Sequence, residues 1–75
     1  MKNSTKIQNI INIGYHYKNN NILVKGYCSK YRLQIIDNIL YYQKNIKNIW
    51  TTQSYDFIEN ILIQNNNILI NGVIV

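Results

Sequence analysis

Aliphatic residues in this chain come in runs of no more than three, such as Ile22-Leu23-Val24, and each run is soon broken by asparagine, lysine, glycine or another polar residue. That punctuation constrains the fold more than any motif does. A bilayer-spanning helix needs about 20 consecutive apolar residues, so no membrane insertion is expected. The basic start Met1-Lys2-Asn3-Ser4-Thr5-Lys6 is followed by no apolar core of the roughly 7–15 residues that a secretory signal requires, so none is expected. What remains is a set of short, amphipathic elements joined by turns. At 75 residues they form one small domain, and a chain of this size buries only about 60–65% of its unfolded surface. Support from a partner is therefore expected. Proline is absent and 47% of residues are hydrophobic, which points to a folded chain and away from disorder.

Composition matters here for what it discounts. Isoleucine (16) and asparagine (14) dominate, alanine and proline are absent, and arginine occurs once, as Arg32. The abundant residues have A/T-rich codons and the scarce ones mostly G/C-rich codons. This reads as mutational pressure in a very A/T-rich genome, such as that of an organelle, endosymbiont, parasite or virus. Charge is also unevenly placed. All eight basic residues precede Ile49, so residues 1–50 carry a net +7 and residues 51–75 carry −2. Lysines neutralise phosphates and tyrosine faces stack on unpaired bases, so a small basic chain with 7 Tyr suits a polyphosphate partner, and charge alone fits a solvated basic surface equally well.

Along the chain, Ile11, Ile13, Tyr15 and Tyr17 alternate with polar residues, which predicts a half-buried strand. Lys18-Asn19-Asn20-Asn21 supplies a turn, and Ile22 to Tyr27 a second strand, giving an N-terminal β-hairpin. Leu33, Ile36, Ile39 and Leu40 then recur at helical spacing, predicting a first helix over 30–43 with Ser29 as its cap. Phe57, Ile58, Ile61 and Leu62 predict a second helix from Ser54 or Asp56, with Asp56 and Glu59 in its first turn and Asn65-Asn66-Asn67 ending it. Ile68-Leu69-Ile70, Asn71-Gly72 and Val73-Ile74-Val75 read as a hairpin, Asn-Gly being the strongest short signal for one. The expected fold class is α+β: an N-terminal β-hairpin, two helices and a C-terminal Asn-Gly hairpin. Residues 19–26 also echo residues 65–72 at six of eight positions, which codon bias and shared turn chemistry explain.

Catalytic chemistry is not apparent. Cys28 and His16 are the only nucleophile and base candidates and both fall in ordinary strand patterns. A single cysteine makes neither an internal disulfide nor a zinc cage. Asp56 and Glu59 alone are a poor metal site, and no Gly-rich phosphate loop is present. No enzymatic activity, cofactor, metal or small-molecule substrate is expected.

One resemblance stands out. Ile36-Asp37-Asn38-Ile39-Leu40-Tyr41-Tyr42 is similar to the Leu-Asp-Asn-apolar-apolar-Tyr-Arg segment of the small-subunit ribosomal protein S-four family. Ile61-Leu62-Ile63, Asn65-Asn66-Asn67 and Ile68-Leu69-Ile70-Asn71-Gly72-Val73-Ile74-Val75 follow in that family's order. The likeness covers residues 32–75. It departs in a longer stretch between Tyr42 and Ser54, and in Tyr42, Asp56 and Asn60 at positions where the family carries arginine.

This resemblance implies an N-terminal extension over 1–29 and an RNA-binding module over 30–75, in which two helices packed on a small sheet present a face to structured RNA. The implied function is a structural constituent of a mitochondrial small ribosomal subunit, binding small-subunit rRNA beside neighbouring ribosomal proteins. The residues expected to meet RNA are Lys30, Arg32, Tyr42, Lys44 and Lys47, with Gln64 and Asn65 as secondary amide contacts. The segment from Ile22 to Tyr42 resembles, more loosely, the opening of ribosomal protein S-ten. A reading of a different class is an accessory subunit of a respiratory complex, its basic surface meeting acidic protein partners.

Overall fold

A computed structural model describes residues 2–75, with side-chain surroundings from Thr5 onward. The chain opens with helix α1 (Lys2–Asn12), whose Ile7, Ile10 and Ile11 lie at helical spacing and pack into the core. Gly14, at φ 114, turns the chain out of the helix. Five strands follow: β1 (Tyr15–Asn19), β2 (Ile22–Lys25), β3 (Tyr31–Ile36), β4 (Ile39–Ile46) and β5 (Ile49–Phe57). A 3₁₀ turn (Ile58–Asn60) then leads into β6 (Leu62–Gln64), β7 (Asn67–Ile70) and β8 (Val73–Ile74). Both sheets are antiparallel and each runs in chain order, β1 to β5 and β6 to β8. No helix among the described residues is long and apolar enough to cross a membrane.

The α+β expectation is therefore corrected to a mostly β architecture with one short helix. The first helix, expected over 30–43, is replaced by β3, a turn and the first part of β4. The second, expected beyond Ser54, is replaced by the end of β5, the 3₁₀ turn and β6. The reason lies in the turns. Asp37 and Asn38, placed inside the first expected helix, have φ of 51° and 65° and form the two-residue turn between β3 and β4. Lys47-Asn48 (52° and 67°) joins β4 to β5, Asn65-Asn66 (52° and 63°) joins β6 to β7, and Asn71-Gly72 (53° and 79°) joins β7 to β8. Two successive positive φ values are the requirement of the hairpin turn whose twist matches the flanking strands, and asparagine and aspartate tolerate them best after glycine. Asn65-Asn66 is thus a hairpin turn and no helix cap.

The helical spacing in 33–40 is a product of that same turn. Ile36 and Ile39 are cross-strand partners flanking Asp37-Asn38, and Leu33 and Leu40 belong to adjacent strands. Three- and seven-residue separations thus arise in a tight hairpin as readily as on a helix face. The β-branched and aromatic residues of Ile35-Ile36 and Ile39-Leu40-Tyr41-Tyr42 decide for the strand.

The N-terminal hairpin lies over β1 and β2, although Ile10 and Ile11 belong to α1. Its turn differs from the other four two-residue hairpins. Asn20-Asn21 avoids positive φ, the strand is irregular between Tyr17 and Asn19, and the Asn21 N–H donates to Asn19 Oδ1 at 3.3 Å. The echoed segments therefore make similar strands, in different sheets, after dissimilar turns.

One core unites these parts. Leu23, Leu33 and Leu40 from the large sheet meet Ile10 of α1, Ile58 and Ile61 around the 3₁₀ turn, and Ile68 and Ile70 of the small sheet. Residues on both sides of Ser29 thus share one cluster. Ile36 (42% exposed) and Leu62 (48%), which the two expected helices would have placed on their apolar stripes, are at the surface. The Lys6 ammonium donates to the Ile61 carbonyl, and Asn71 Nδ2 donates to the Tyr55 carbonyl at 3.2 Å, fastening helix and small sheet to the rest.

Candidate functional site

Directly paired residues of an antiparallel sheet project to the same side, and successive residues alternate. The register therefore sorts every side chain of the large sheet. The inner face carries Leu23, Leu33, Ile35, Leu40 and Tyr42 and is covered by α1 and the small sheet. The outer face carries Arg32, Gln34, Ile36, Ile39, Tyr41, Gln43, Trp50, Thr52, Tyr55 and Phe57.

Trp50 and Tyr55 are five positions apart, and strict alternation would send them to opposite faces. The bulge in β5 prevents this: Tyr42 pairs with Ser54 and Gln43 with Thr52, leaving Gln53 without an opposite residue. That extra residue shifts the phase of the strand and puts both aromatics on the outer face.

A polar network crosses the outer face. Arg32 Nε donates to Gln43 Oε1 at 2.7 Å, and Gln43 Nε2 donates to Gln34 Oε1 at 3.1 Å and Thr52 Oγ1 at 3.3 Å. Gln43 is only 8% exposed, so its bonds hold the guanidinium from a fixed base. The Arg32 guanidinium lies 4.3 Å from the Trp50 ring centroid, within stacking range. Burial lowers the Arg32 pKa from its usual value, and the group stays charged throughout the physiological range. Beyond it, Tyr41 and Tyr55 stack with centroids 5.7 Å apart.

The cations gather at one end of the sheet. Lys25 ends β2, and Lys44 pairs with Tyr31. Asn45 N–H bonds the Lys30 carbonyl at 2.8 Å, bringing the β2–β3 loop beside β4, and Lys47 sits in the adjoining turn. Arg32 lies one residue inside this rim. Asp37 and Asp56 lie at the opposite end, in the β3–β4 turn and opposite Leu40. Tyrosines line the basic end as well: Tyr31 and Tyr42 stack at 5.6 Å, and the Lys44 and Lys25 ammonium groups stand 5.8 and 6.0 Å from the Tyr31 and Tyr15 rings. Tyr15, Tyr31, Tyr42, Lys25 and Cys28 border a cavity of about 250 Å³. Burial raises the Tyr15 phenol pKa, with Cys28 adding to it; burial likewise raises Tyr42, helped by Tyr31, Tyr15 and Cys28.

Of the seven residues expected to meet RNA, Lys30, Arg32, Tyr42, Lys44 and Lys47 come together at this end, although Tyr42 and Lys44 face inward and Arg32 outward. Gln64 and Asn65 stand apart, at the β6–β7 turn of the small sheet. Gln43, Trp50 and Lys25 were missed. A strand register is needed to bring Gln43 and Trp50 to Arg32, from 11 and 18 positions away, while the position of Lys25 beside a Gly-containing turn was a usable signal. Asp56 accepts from Phe57 N–H at 2.7 Å and Asn60 Nδ2 at 3.2 Å, a local role in shaping the 3₁₀ turn. No group of three or more potential metal-ligating side chains occurs among the described residues. No family model matches the chain, and comparison with curated proteins and with solved structures likewise gave no match.

Proposed function

We propose that this chain is a non-catalytic, RNA-binding constituent of a small ribosomal subunit in mitochondria. The observation that carries the RNA reading is the gathering of Lys25, Lys30, Arg32, Lys44 and Lys47 around tyrosines at one end of the large sheet. Folded RNA is held mainly through phosphates, sugar hydroxyls and shape, and a rim of ammonium groups around a sheet end suits that task. The ribosomal setting rests on the order of residues 32–75 and on the A/T-driven composition. Over 36–42 the likeness is one of residue order only, since Asp37-Asn38, which it places in a helix, is a hairpin turn. The apolar part of the outer face, with Ile36, Tyr55 and Phe57 exposed, provides for a neighbouring protein.

The test has two parts. Tagged protein should co-sediment with small subunits and be released by nuclease. The purified chain should bind a small-subunit rRNA transcript, and the double variant Lys44→Gln/Lys47→Gln should bind more weakly, with a salt slope reduced by about 2. Unchanged affinity in that variant would overturn the contact assignment. The exposed apolar residues favour one other reading, an accessory subunit of a respiratory complex. Migration with a membrane complex after nuclease treatment would establish that reading and overturn the ribosomal one.

A further inference from the structure

The outer face holds a recess that the basic rim does not explain. It has a volume of about 340 Å³ and is lined by Lys18, Asn19, Ile22, Val24, Cys28, Ser29, Arg32, Asn45 and Trp50. Its apolar part is Ile22 and Val24, both buried although they belong to the outer face. Its wall is the Trp50 ring with the Arg32 guanidinium over it. The remaining border is polar and uncharged apart from Lys18.

Three properties point to one kind of occupant. The volume lies in the range of small-ligand sites. The wall joins an indole to a guanidinium plane, the two kinds of surface on which unstacked bases are held. The charge is wholly positive: Lys18 and Arg32 line the recess, and neither is held by a carboxylate among the described residues. The guanidinium is also fixed in advance. Its Nε is committed to Gln43, which is itself tied to Gln34 and Thr52, leaving the terminal nitrogens to serve an anion in a set orientation. A planar, partly apolar ligand carrying a phosphate matches this lining, whereas a bare phosphate would leave Ile22 and Val24 unused.

We infer that this recess takes a single unpaired nucleotide of an RNA strand, its base against Ile22, Val24 and the Trp50–Arg32 pair and its phosphate between Arg32 and Lys18. The inference deepens the RNA reading and rests on it for the source of the nucleotide.

Trp50 is the only tryptophan in the chain, so its emission reports on the recess directly. The full chain is titrated with the tetranucleotide U₄, with UMP, with uridine and with inorganic phosphate. U₄ and UMP should change Trp50 emission saturably, and uridine and phosphate alone should bind at least about tenfold more weakly, since each forfeits either charge-assisted bonds or base contact. Arg32→Gln should weaken U₄ by about tenfold or more. Lys18→Gln, on the exposed rim and clear of the core, should weaken it by about threefold without touching the fold. Arg32→Lys keeps the charge and loses the planar stack and fork, and should not restore affinity. The absence of any saturable U₄ response, or a U₄ affinity unchanged in both Lys18→Gln and Arg32→Gln, would overturn the inference. If U₄ fails while rRNA binding keeps its dependence on Lys44 and Lys47, the recess falls and the RNA reading stands. If U₄ binds at Trp50 while the rRNA transcript does not bind, the ribosomal reading falls and the recess stands.

Discussion

The inner and outer faces of the large sheet are built by the same strands, yet they obey different rules. Inward, Leu23, Leu33 and Leu40 are fully buried against α1 and the small sheet, so that face is specified by volume and apolarity. Outward, no second layer of the described residues covers β3 to β5. There the side chains support one another: Gln43 joins Arg32, Gln34 and Thr52, Arg32 lies on Trp50, and Tyr41 lies on Tyr55. Tyr55 is 59% exposed and Phe57 51%, more than packing alone would leave. The inner face explains why the chain folds. On the proposed reading the outer face, with the basic rim beside it, is where another molecule binds.

This contrast can be broken most decisively in the core. Leu40→Ala should cost about 2–5 kcal/mol, enough to leave so small a domain largely unfolded, whereas Tyr55→Ala, across one strand on the other face, should cost about 1 kcal/mol or less. Urea melts followed by circular dichroism measure both, and equal losses would erase the distinction. Next in size is the polar network. Gln43→Ala leaves the Arg32 Nε–H and the buried space beside it without a partner and should destabilise by about 1–3 kcal/mol, with a change in Trp50 emission as the guanidinium loses its anchor. A silent Trp50 would show that the stack does not depend on Gln43.

The turns come third, because they set the register and hence which residues face inward. Asn48, at φ 67, should tolerate Gly and lose about 1 kcal/mol as Ala, read as a fall in melting temperature. The smallest effect concerns alkaline pH. Because burial raises the Tyr15 pKa in the folded chain, this phenol contributes stability fully below about pH 10, its unfolded value. That contribution is lost as pH rises through the raised folded pKa, where the unfolded chain has already released its proton. Tyr15→Phe should therefore flatten the decline in melting temperature above pH 10.

The parts of this fold that were legible in the sequence are those whose signal is local. Asn71-Gly72 announces its hairpin because both of its residues accept positive φ and β-branched residues flank it. Asp37-Asn38 and Lys47-Asn48 meet the same requirement with poorer credentials, and Leu33, Ile36, Ile39 and Leu40 imitate a helical stripe across the first of them. The bulge at Gln53 broke the alternation that would have identified β5. The candidate site divides in the same way. Arg32 and the lysines were visible as charges, but Gln43 and Trp50 reach Arg32 only once the strands are in register. Ile7, Ile10 and Ile11 stand at the helical spacing of α1, but the alternation of Ile11, Ile13, Tyr15 and Tyr17 hides where that helix ends.

The neighbour-to-neighbour order of both sheets has a consequence for how the chain assembles. Every strand bonds only to the one before it and the one after it, so no pairing has to wait for a distant segment to return. Loop-closure cost grows with the length enclosed, and here most strand pairs enclose two residues. The large sheet can therefore grow one hairpin at a time, from β1 to β5, as the chain is delivered during synthesis. The long closures left are those that bring Ile10 and then Ile61, Ile68 and Ile70 onto Leu23, Leu33 and Leu40, sealing the inner face. For an all-antiparallel design this is a low contact order, and refolding should be fast for a β protein of its size.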